Sequence, residues 1–382
     1  MLNVCVYFSP WSRTISPTGV GRHAIEMTRH LDQRDDVNAS VFTPSNQEMS
    51  EESFPKELST LSMYRIPMSD NLSRLFFIGA RWQGIDRWAK GTNWVYCPKE
   101  QPVATSKAHL AVNVHDILTF ETGINGLNGS GSSRVRLRWA HAMKHIGRAE
   151  LVTTVSEFTK TRLVDLFKID PGRIVVTGNG VSDVFFRSRK DSDEEVLKHF
   201  GVESGSYFLS VGSLTRRKGG DLLLTAAERL KNAGYQTPVL VTGRRHDADL
   251  FADYQTAGER DPSQLVRLVG YVQDEDQAAL LTHAKALVFP SRYEGFGIPA
   301  LEAMAAGTVV IGAKAAALPE VIGAAGRFID PDNVDQLTDE MISILEDQID
   351  RQSLIEQGNR RAEEFRWGQC VDRLVKAMID RS

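Results

Sequence analysis

Short runs in which nearly every position is apolar recur from one end of this chain to the other, and amphipathic stretches with apolar residues three and four apart lie between them. An apolar run without alternation predicts a strand buried on both faces, and the three-and-four spacing predicts a helix with one buried face. The runs place strands at Val4–Phe8, Ala39–Phe42, Asn93–Tyr96, Leu110–Val114, Leu151–Val155 and Ile174–Thr177. A second series follows at Tyr207–Val211, Val239–Val241, Val266–Val269, Ala286–Phe289, Val309–Gly312 and Arg327–Ile329. Helices are predicted at Gly21–Leu31, Glu157–Phe167, Asp221–Lys231 and Ala278–Ala284, and over Phe365–Arg381, where Trp367, Val371, Leu374, Val375 and Met378 are apolar. Strand alternating with helix reads as an α/β chain of doubly wound parallel sheets.

The two series are separated by Phe186–Ser206, which carries Arg187, Arg189, Lys190, Asp191, Asp193, Glu194 and Glu195. A polar stretch of that kind predicts a domain boundary, giving domains over 1–190 and 200–364. A chain of 382 residues is long for one core, which favours the same division. Hydrophobic residues at 42% and charged residues at 25% are ordinary for a globular protein, and a net charge of −4 argues against nucleic acid as a partner. Cys5, Cys97 and Cys370 lie far apart with no C-x-x-C spacing, which argues against disulfides and zinc and fits a reducing cytoplasm. No apolar stretch reaches the ~18 residues of a membrane span. Leu2–Phe8 is too short for a signal peptide and lacks its basic flank, so it is read as the first strand. Asn125–Ser133, rich in Gly, Asn and Ser, reads as a mobile loop.

The most informative chemistry lies between Val288 and Gly307. An apolar run ends at Phe289, a glycine-containing loop follows, and an Ala-rich helix opens at Pro299, a residue suited to a first helical turn. Glu294 and Glu302 flank that loop. Glycines let backbone approach a ligand, a helix N-terminus offers N–H groups to phosphate, and carboxylates accept hydroxyl protons. The segment therefore suits a ligand carrying both phosphate and hydroxyls, although a strand–loop–helix with incidental glutamates would show the same pattern.

The E-x7-E spacing of Glu294 and Glu302, the run Phe289–Ile311 (FPSRYEGFGIPALEAMAAGTVVI) and Leu318-Pro319-Glu320-Val321 resemble the nucleotide-sugar domain of retaining glycosyltransferases of family 4. The resemblance implies the GT-B fold: two doubly wound Rossmann-like domains facing across a cleft, with a C-terminal helix over 365–382 crossing back to the first. It implies a nucleotide-sugar donor and a glycan or lipid-linked glycan acceptor, with no metal cofactor because cationic side chains take its place. Carried over by position, Lys218 and Arg217 of YFLSVGSLTRRKGG hold the donor diphosphate, helped by Gly295, Phe296 and Gly297. Glu302 takes ribose hydroxyls, Glu294 takes hydroxyls of the transferred sugar, and Tyr271 and Val272 meet the nucleobase. Many relatives carry an arginine where this chain has Ser213, and nothing is carried onto that position.

In the first domain, Pro17-Thr18-Gly19-Val20-Gly21-Arg22 follows a strand and precedes a helix. A Gly-x-Gly there is often a simple turn, but the carboxyl edge of a doubly wound sheet is where ligands bind. It resembles the family's glycine loop, with Gly19 and Gly21 facing the donor phosphates and the acceptor. Val112–Ile117 places His115 at a strand end, where the usual alternative is a core histidine with a satisfied ring. It resembles the family's "HD" element, whose histidine reaches the reacting end of the donor sugar. Thr154–Thr159 resembles "TVSEF", with Ser156 suited to an N-cap, and Gly178–Val181 resembles an "NGV" turn. Gly243-Arg244-Arg245 matches a family turn only in part, its arginines suiting phosphate or solvent equally. A helix over Arg134–Arg148 carries basic and apolar residues together. Such helices touch anionic membranes, though a solvated basic face is commoner. Leu75–Trp88 is aromatic-rich, with core packing the default and acceptor lining the alternative.

These expectations converge on a retaining hexosyltransferase, with mannose from GDP-mannose the leading donor and UDP-sugars sharing most of the pattern. The rivals are a glycoside hydrolase working through Glu294 and Glu302, and a catalytically inactive sugar-nucleotide-binding subunit.

Overall fold

The computed structural model describes residues 1–8, 19–44, 55–66, 84–121, 133–243, 247, 250 and 266–382. They fall into two compact units. The first holds Met1–Phe120, the described residues of Gly131–Gly180, and Trp367–Ser382, and the second holds Glu121 and Val181–Arg366. The chain passes from one unit to the other at Gly180–Val181, ahead of the charged Phe186–Ser206 stretch, and returns at Arg366–Trp367.

In the first unit the order is β1 (Leu2–Tyr7), α1 (Gly19–Asp32), β2 (Val37–Pro44), β3 (Ser62–Ile66), β4 (Trp94–Cys97), β5 (His109–Val114), α2 (Ser133–Ile146), β6 (Leu151–Thr154), α3 (Glu157–Phe167) and β7 (Ile174–Val176). The strands form one sheet in the order β3-β2-β1-β4-β5-β6-β7, and every pairing is parallel. Successive residues of a strand point to opposite faces, and here each face has its own core. Val4, Val6, Trp94 and Tyr96 pack with Met27 and Leu31 of α1, while Cys5, Val95, Cys97 and Val112 pack with Met143, Ile146 and Leu163. Burial on both faces is why these strands read as unbroken apolar runs. β3 escaped that reading because it is an edge strand, pairing only with β2, and its Ser-Met-Tyr-Arg-Ile alternates.

In the second unit α4 (Asp193–His199), β8 (Phe208–Val211), α5 (Gly220–Asn232), β9 (Val239–Thr242), β10 (Val266–Gly270), α6 (Asp274–His283) and β11 (Leu287–Phe289) come first. They are followed by α7 (Ile298–Ala305), β12 (Val310–Ala313), α8 (Leu318–Ile322), β13 (Arg327–Ile329), α9 (Val334–Leu345) and α10 (Arg351–Glu363). Its sheet runs β10-β9-β8-β11-β12-β13, again parallel throughout. In both sheets the strand order reverses beside the first strand of the unit, at β1/β4 and at β8/β11. Helices depart to opposite faces at such a point and leave a crevice at the carboxyl ends, so the loops after β4, β8 and β11 are placed to hold ligands.

The last helix, α11 (Trp367–Ile379), belongs to the first unit. Trp367, Cys370, Val371, Leu374, Val375 and Met378 recur at helical spacing and are buried in the same core as α1. All three cysteines are free and buried, and burial pushes the Cys5 and Cys370 thiols up to about 11 and Cys97 up to about 12.

Gly180, at the exit from the first unit, lies against the start of α11. A Cβ there would sit 2.5 Å from the Trp367 ring and 2.6 Å from its backbone nitrogen. Backbone cannot give way as a flexible side-chain tip can, so Gly180→Ala is expected to destabilise the first unit by about 1–3 kcal/mol. A lowered urea midpoint with unchanged circular dichroism in the folded state is the expected reading, and an unchanged midpoint would contradict this packing.

Candidate functional site

At the β8/β11 switch point, two helices begin without a side-chain cap. Gly219 is the N-cap of α5 and Gly297 the N-cap of α7, both with positive φ and neither offering a side-chain acceptor. The first N–H groups of a helix have no partner within it, and with the helix dipole they form an anion site. Two glycines make the close approaches possible. A Cβ on Gly219 would lie 2.3 Å from the Pro290 carbonyl oxygen, and one on Gly212, after β8, would lie 2.5 Å from Lys218 Nζ. The Lys218 ammonium thus rests over bare backbone.

Glu294 joins the two cations expected there. Arg217 Nη1 lies 3.2 Å and Lys218 Nζ 3.6 Å from Glu294 Oε1, which also accepts from Ser291 Oγ at 2.9 Å. Arg217 Nη1 donates as well to the Tyr293 carbonyl at 2.6 Å. Burial raises the pKa of the Glu294 carboxyl, but Lys218 and Arg217 together outweigh that effect and hold it below the usual carboxylate value. Glu302 sits apart from this group. It is 2% exposed and accepts from Gln277 Nε2 of α6 at 2.9 Å. Tyr271 and Val272 follow β10 and precede that same helix, and Tyr271 is 38% exposed while Val272 is buried. Gly295 is buried, and Phe296 is buried edge-on to Phe365 at 5.6 Å. The structure therefore gathers Arg217, Lys218, Glu294 and the Gly295–Gly297 loop, and sets Glu302 against α6, the helix that follows Tyr271 and Val272.

In the first unit His115 follows β5 and is 7% exposed. Its Nε2 lies 2.9 Å from the Pro98 carbonyl oxygen, which can only accept, so Nε2 carries the proton. Burial lowers its pKa to about 4 against a smaller opposing effect of that hydrogen bond, so the ring is neutral and Nδ1 is its acceptor. His23 of α1 meets it edge-on, with ring centroids 4.7 Å apart. His23 is fully buried, with Nδ1 2.7 Å from Asn179 Oδ1 and Nε2 2.8 Å from the Tyr96 hydroxyl. Glu100, in the loop after β4, has its pKa raised by burial, and its Oε2 lies 3.5 Å from the His115 backbone nitrogen. Ser156 caps α3 by accepting from Thr159 N at 3.1 Å, and Thr159 Oγ1 lies 3.5 Å from the His115 carbonyl oxygen.

Gly19 was expected in the loop after β1 and Gly21 where that loop meets the helix; the helix begins two residues earlier, and both lie in the first turn of α1, Gly19 exposed and Gly21 buried. A helical turn needs no glycine, and the spacing alone could not separate loop from first turn. Pro17 and Thr18, Arg244 and Arg245, Leu75–Trp82 and the loop over 125–132 lie outside the described residues, while Ser133 opens α2. Trp88 packs edge-on to Phe42 at 6.3 Å, as core packing would have it. In α2, Leu137 is 73% exposed. Among the described residues no helix is long and apolar enough to cross a membrane.

Three further residues belong to these constellations and were not singled out from sequence. His23 looked like an ordinary polar position of an amphipathic helix. Asn179 was read as part of a structural turn. Arg292 stood inside the Val288–Gly307 segment without a role, and the structure gives it bidentate contact with Asp221 at 2.6 and 2.9 Å.

Residues 17–184 match the model of the family described as Glycosyltransferase Family 4, and residues 191–361 match that of Glycosyl transferases group 1. The chain is 31% identical over 246 residues to the O-antigen chain mannosyltransferase B of Escherichia coli, covering 64% of each chain. It is 27% identical over 359 residues to a phosphatidyl-myo-inositol mannosyltransferase of Mycolicibacterium smegmatis, covering 92% of this chain and 87% of that one. An MMP alpha-(1->4)-mannosyltransferase of Mycolicibacterium hassiacum is 32% identical over 57% of this chain and 51% of its own. The chain thus spans about two thirds or less of the length of several curated relatives it matches. Among solved structures, Anabaena HepE in complex with UDP and glucose superposes with a TM-score of 0.74 at 16% identity over the whole of both chains. The sucrose-phosphate synthase of Thermosynechococcus elongatus does so with 0.73 at 17%. At those identities the likeness is one of fold, the GT-B fold of two Rossmann-like units.

The buried neutral ring of His115 makes stability depend on pH. Its pKa is about 4 folded against 6.5 in an open chain, so between those values the unfolded state binds the extra proton. Its contribution is complete above pH 6.5 and is lost as pH falls toward 4, with about 2 kcal/mol gone by about pH 5. Urea unfolding at pH 7.5 and 5 is expected to show a smaller loss in His115→Gln than in the parent. Equal losses would mean that the ring titrates normally.

Proposed function

Because the chain belongs to the family 4 glycosyltransferases, we propose that it moves a hexose from a nucleotide sugar onto a glycan or lipid-linked glycan acceptor, with mannose from GDP-mannose as donor and with retention of anomeric configuration. The observation that carries this reading is the meeting of Arg217, Lys218 and Glu294 with two helix N-termini that lack side-chain caps, at the carboxyl edge of a parallel sheet. Mannosyltransferases recur among the relatives by name, which favours mannose. The solved neighbour carrying UDP and glucose keeps a UDP-sugar as the second reading.

In the proposed reaction the bond between the sugar's anomeric carbon and the diphosphate oxygen breaks. The acceptor hydroxyl oxygen bonds to that carbon, and its proton passes to the departing phosphate. Negative charge builds on the leaving diphosphate, so the main catalytic contribution is the field already in place around it. Lys218, Arg217 and the α5 and α7 N–H groups supply that field with charge-assisted hydrogen bonds. This assigns the charge stabilisation to protein groups and calls for no metal. Glu294, held ionised, accepts hydroxyls of the transferred sugar. Glu302 accepts those of the ribose, and Tyr271 and Val272 meet the base. His115, neutral with Nδ1 as acceptor, takes a hydroxyl of the reacting sugar and cannot serve as an acid near pH 7. No covalent nucleophile is assigned.

The reading is tested by incubating the protein with labelled GDP-mannose, UDP-glucose and UDP-galactose. Release of free sugar, even slowly, is expected from the true donor, and no turnover of any nucleotide sugar would point to an inactive binding subunit. Glu302→Ala should weaken binding of the free nucleoside diphosphate, because ribose is present in it. Glu294→Ala should spare that binding and depress transfer by about ten- to a hundred-fold, the scale of a lost hydrogen bond to a charged group. Calorimetry beside initial rates separates the two, and equal loss of nucleotide affinity in both variants would refute the division of roles.

A further inference from the structure

Arg292 is 6% exposed, and all three nitrogens of its guanidinium donate. Nε meets Asp332 Oδ1 at 2.5 Å, Nη1 meets Asp221 Oδ1 at 2.6 Å and also the Arg216 carbonyl, and Nη2 meets Asp221 Oδ2 at 2.9 Å. Two of these acceptors bracket the cations of the second unit. The Arg216 carbonyl immediately precedes Arg217, and Asp221 lies in the first turn of α5, just beyond Lys218 and Gly219. The backbone adds to the grip, since Arg292 N donates to the Arg217 carbonyl at 2.8 Å. Asp332, the third anchor, holds its place with a φ of 74°, a left-handed conformation that few side chains adopt.

We infer that Arg292 is a positioning residue for a nucleoside diphosphate: it fixes the Arg216–Asp221 loop so that Arg217, Lys218 and the α5 N-terminus converge on one anion. The inference rests on the diphosphate reading of that site. Arg292 acts through the loop, because its own donors are committed to Asp221, Asp332 and Arg216. Only a planar fork with several donors spans these three acceptors together, and a lysine ammonium in its place would lose the bidentate pair. A loop released at one end lets its two like charges drift apart, which weakens an anion held between them and leaves a nucleoside untouched.

The experiment is calorimetry on the full chain with guanosine, GMP and GDP and with uridine, UMP and UDP. Arg292→Lys, Asp332→Asn and Lys218→Ala are compared with the parent, and circular dichroism monitors folding. Arg292→Lys is expected to lower diphosphate affinity about ten-fold, monophosphate affinity less, and nucleoside affinity not at all. Asp332→Asn keeps an acceptor for Nε but removes the charge of that anchor and leaves the Asp221 pair intact, so it reports a smaller loss of the same pattern even where Arg292→Lys fails to fold. Diphosphate binding at the parental level in the folded variants, with Lys218→Ala impaired, overturns the inference while the diphosphate reading stands. A parental affinity in Lys218→Ala itself overturns the reading beneath it. Equal losses for nucleoside and diphosphate would show that Arg292 merely supports the fold, which also overturns the inference.

Discussion

The Glu294 carboxylate lies largely out of water, and a carboxylate in that position must have cations beside it or take up a proton. Arg217 and Lys218 meet that need from a loop more than seventy residues earlier, so one ionic contact ties the loop after β8 to the loop after β11. Those are the loops that diverge at the switch point of the second sheet. The partners are interdependent, because these side chains are only 17% to 27% exposed and removing one leaves its partner charged and poorly solvated. Gly212 and Gly219 follow from the same demand, since a Cβ on either would push back the ammonium or the Pro290 carbonyl.

In the first unit the requirement is met with neutral groups. His115 and His23 are both buried and both neutral, and burial is the leading cause of each lowered pKa. The Pro98 carbonyl fixes which nitrogen of His115 carries the proton, and on the same hydrogen-bonding grounds Asn179 and Tyr96 fix the tautomer of His23. A ring whose tautomer is set by backbone presents one defined acceptor. That suits it to hold a hydroxyl and unsuits it for proton transfer.

Much of this fold was legible in sequence because parallel strands covered on both faces cannot hide their composition; among the described strands only the alternating edge strand β3 was missed, while the helices α4, α8, α9 and α10 were not predicted. Lys218 and Glu294 were legible because each stands beside a glycine, and Arg217 because it adjoins Lys218. Arg292, His23 and Asn179 were not, because their meaning lies in partners far away along the chain. Arg292 meets residues 71 and 40 positions distant, and His23 meets residues 73 and 156 positions distant. Only the crossover topology of the sheets brings such pairs together, and no local pattern announces them. The first-turn position of Gly19 was lost for a related reason, since helix boundaries are set by capping and tertiary packing as well as by spacing.

Arg217 and Lys218 against Glu294 leave one net positive charge, and each helix N-terminus adds roughly half a charge. On the proposed reading, a diphosphate with about two negative charges then finds a site whose positive potential matches it. Glu294 offsets part of the repulsion between the two cations, while Arg292 and the backbone hold the Arg216–Asp221 loop that carries them, so a free diphosphate is still bound when the carboxylate is lost. Because these groups are set before any ligand arrives, little reorganisation is left for the reaction itself. On the proposed reading the part left to the carboxylate is with the transferred sugar, whose hydroxyls it accepts while it stays ionised between an arginine and a lysine.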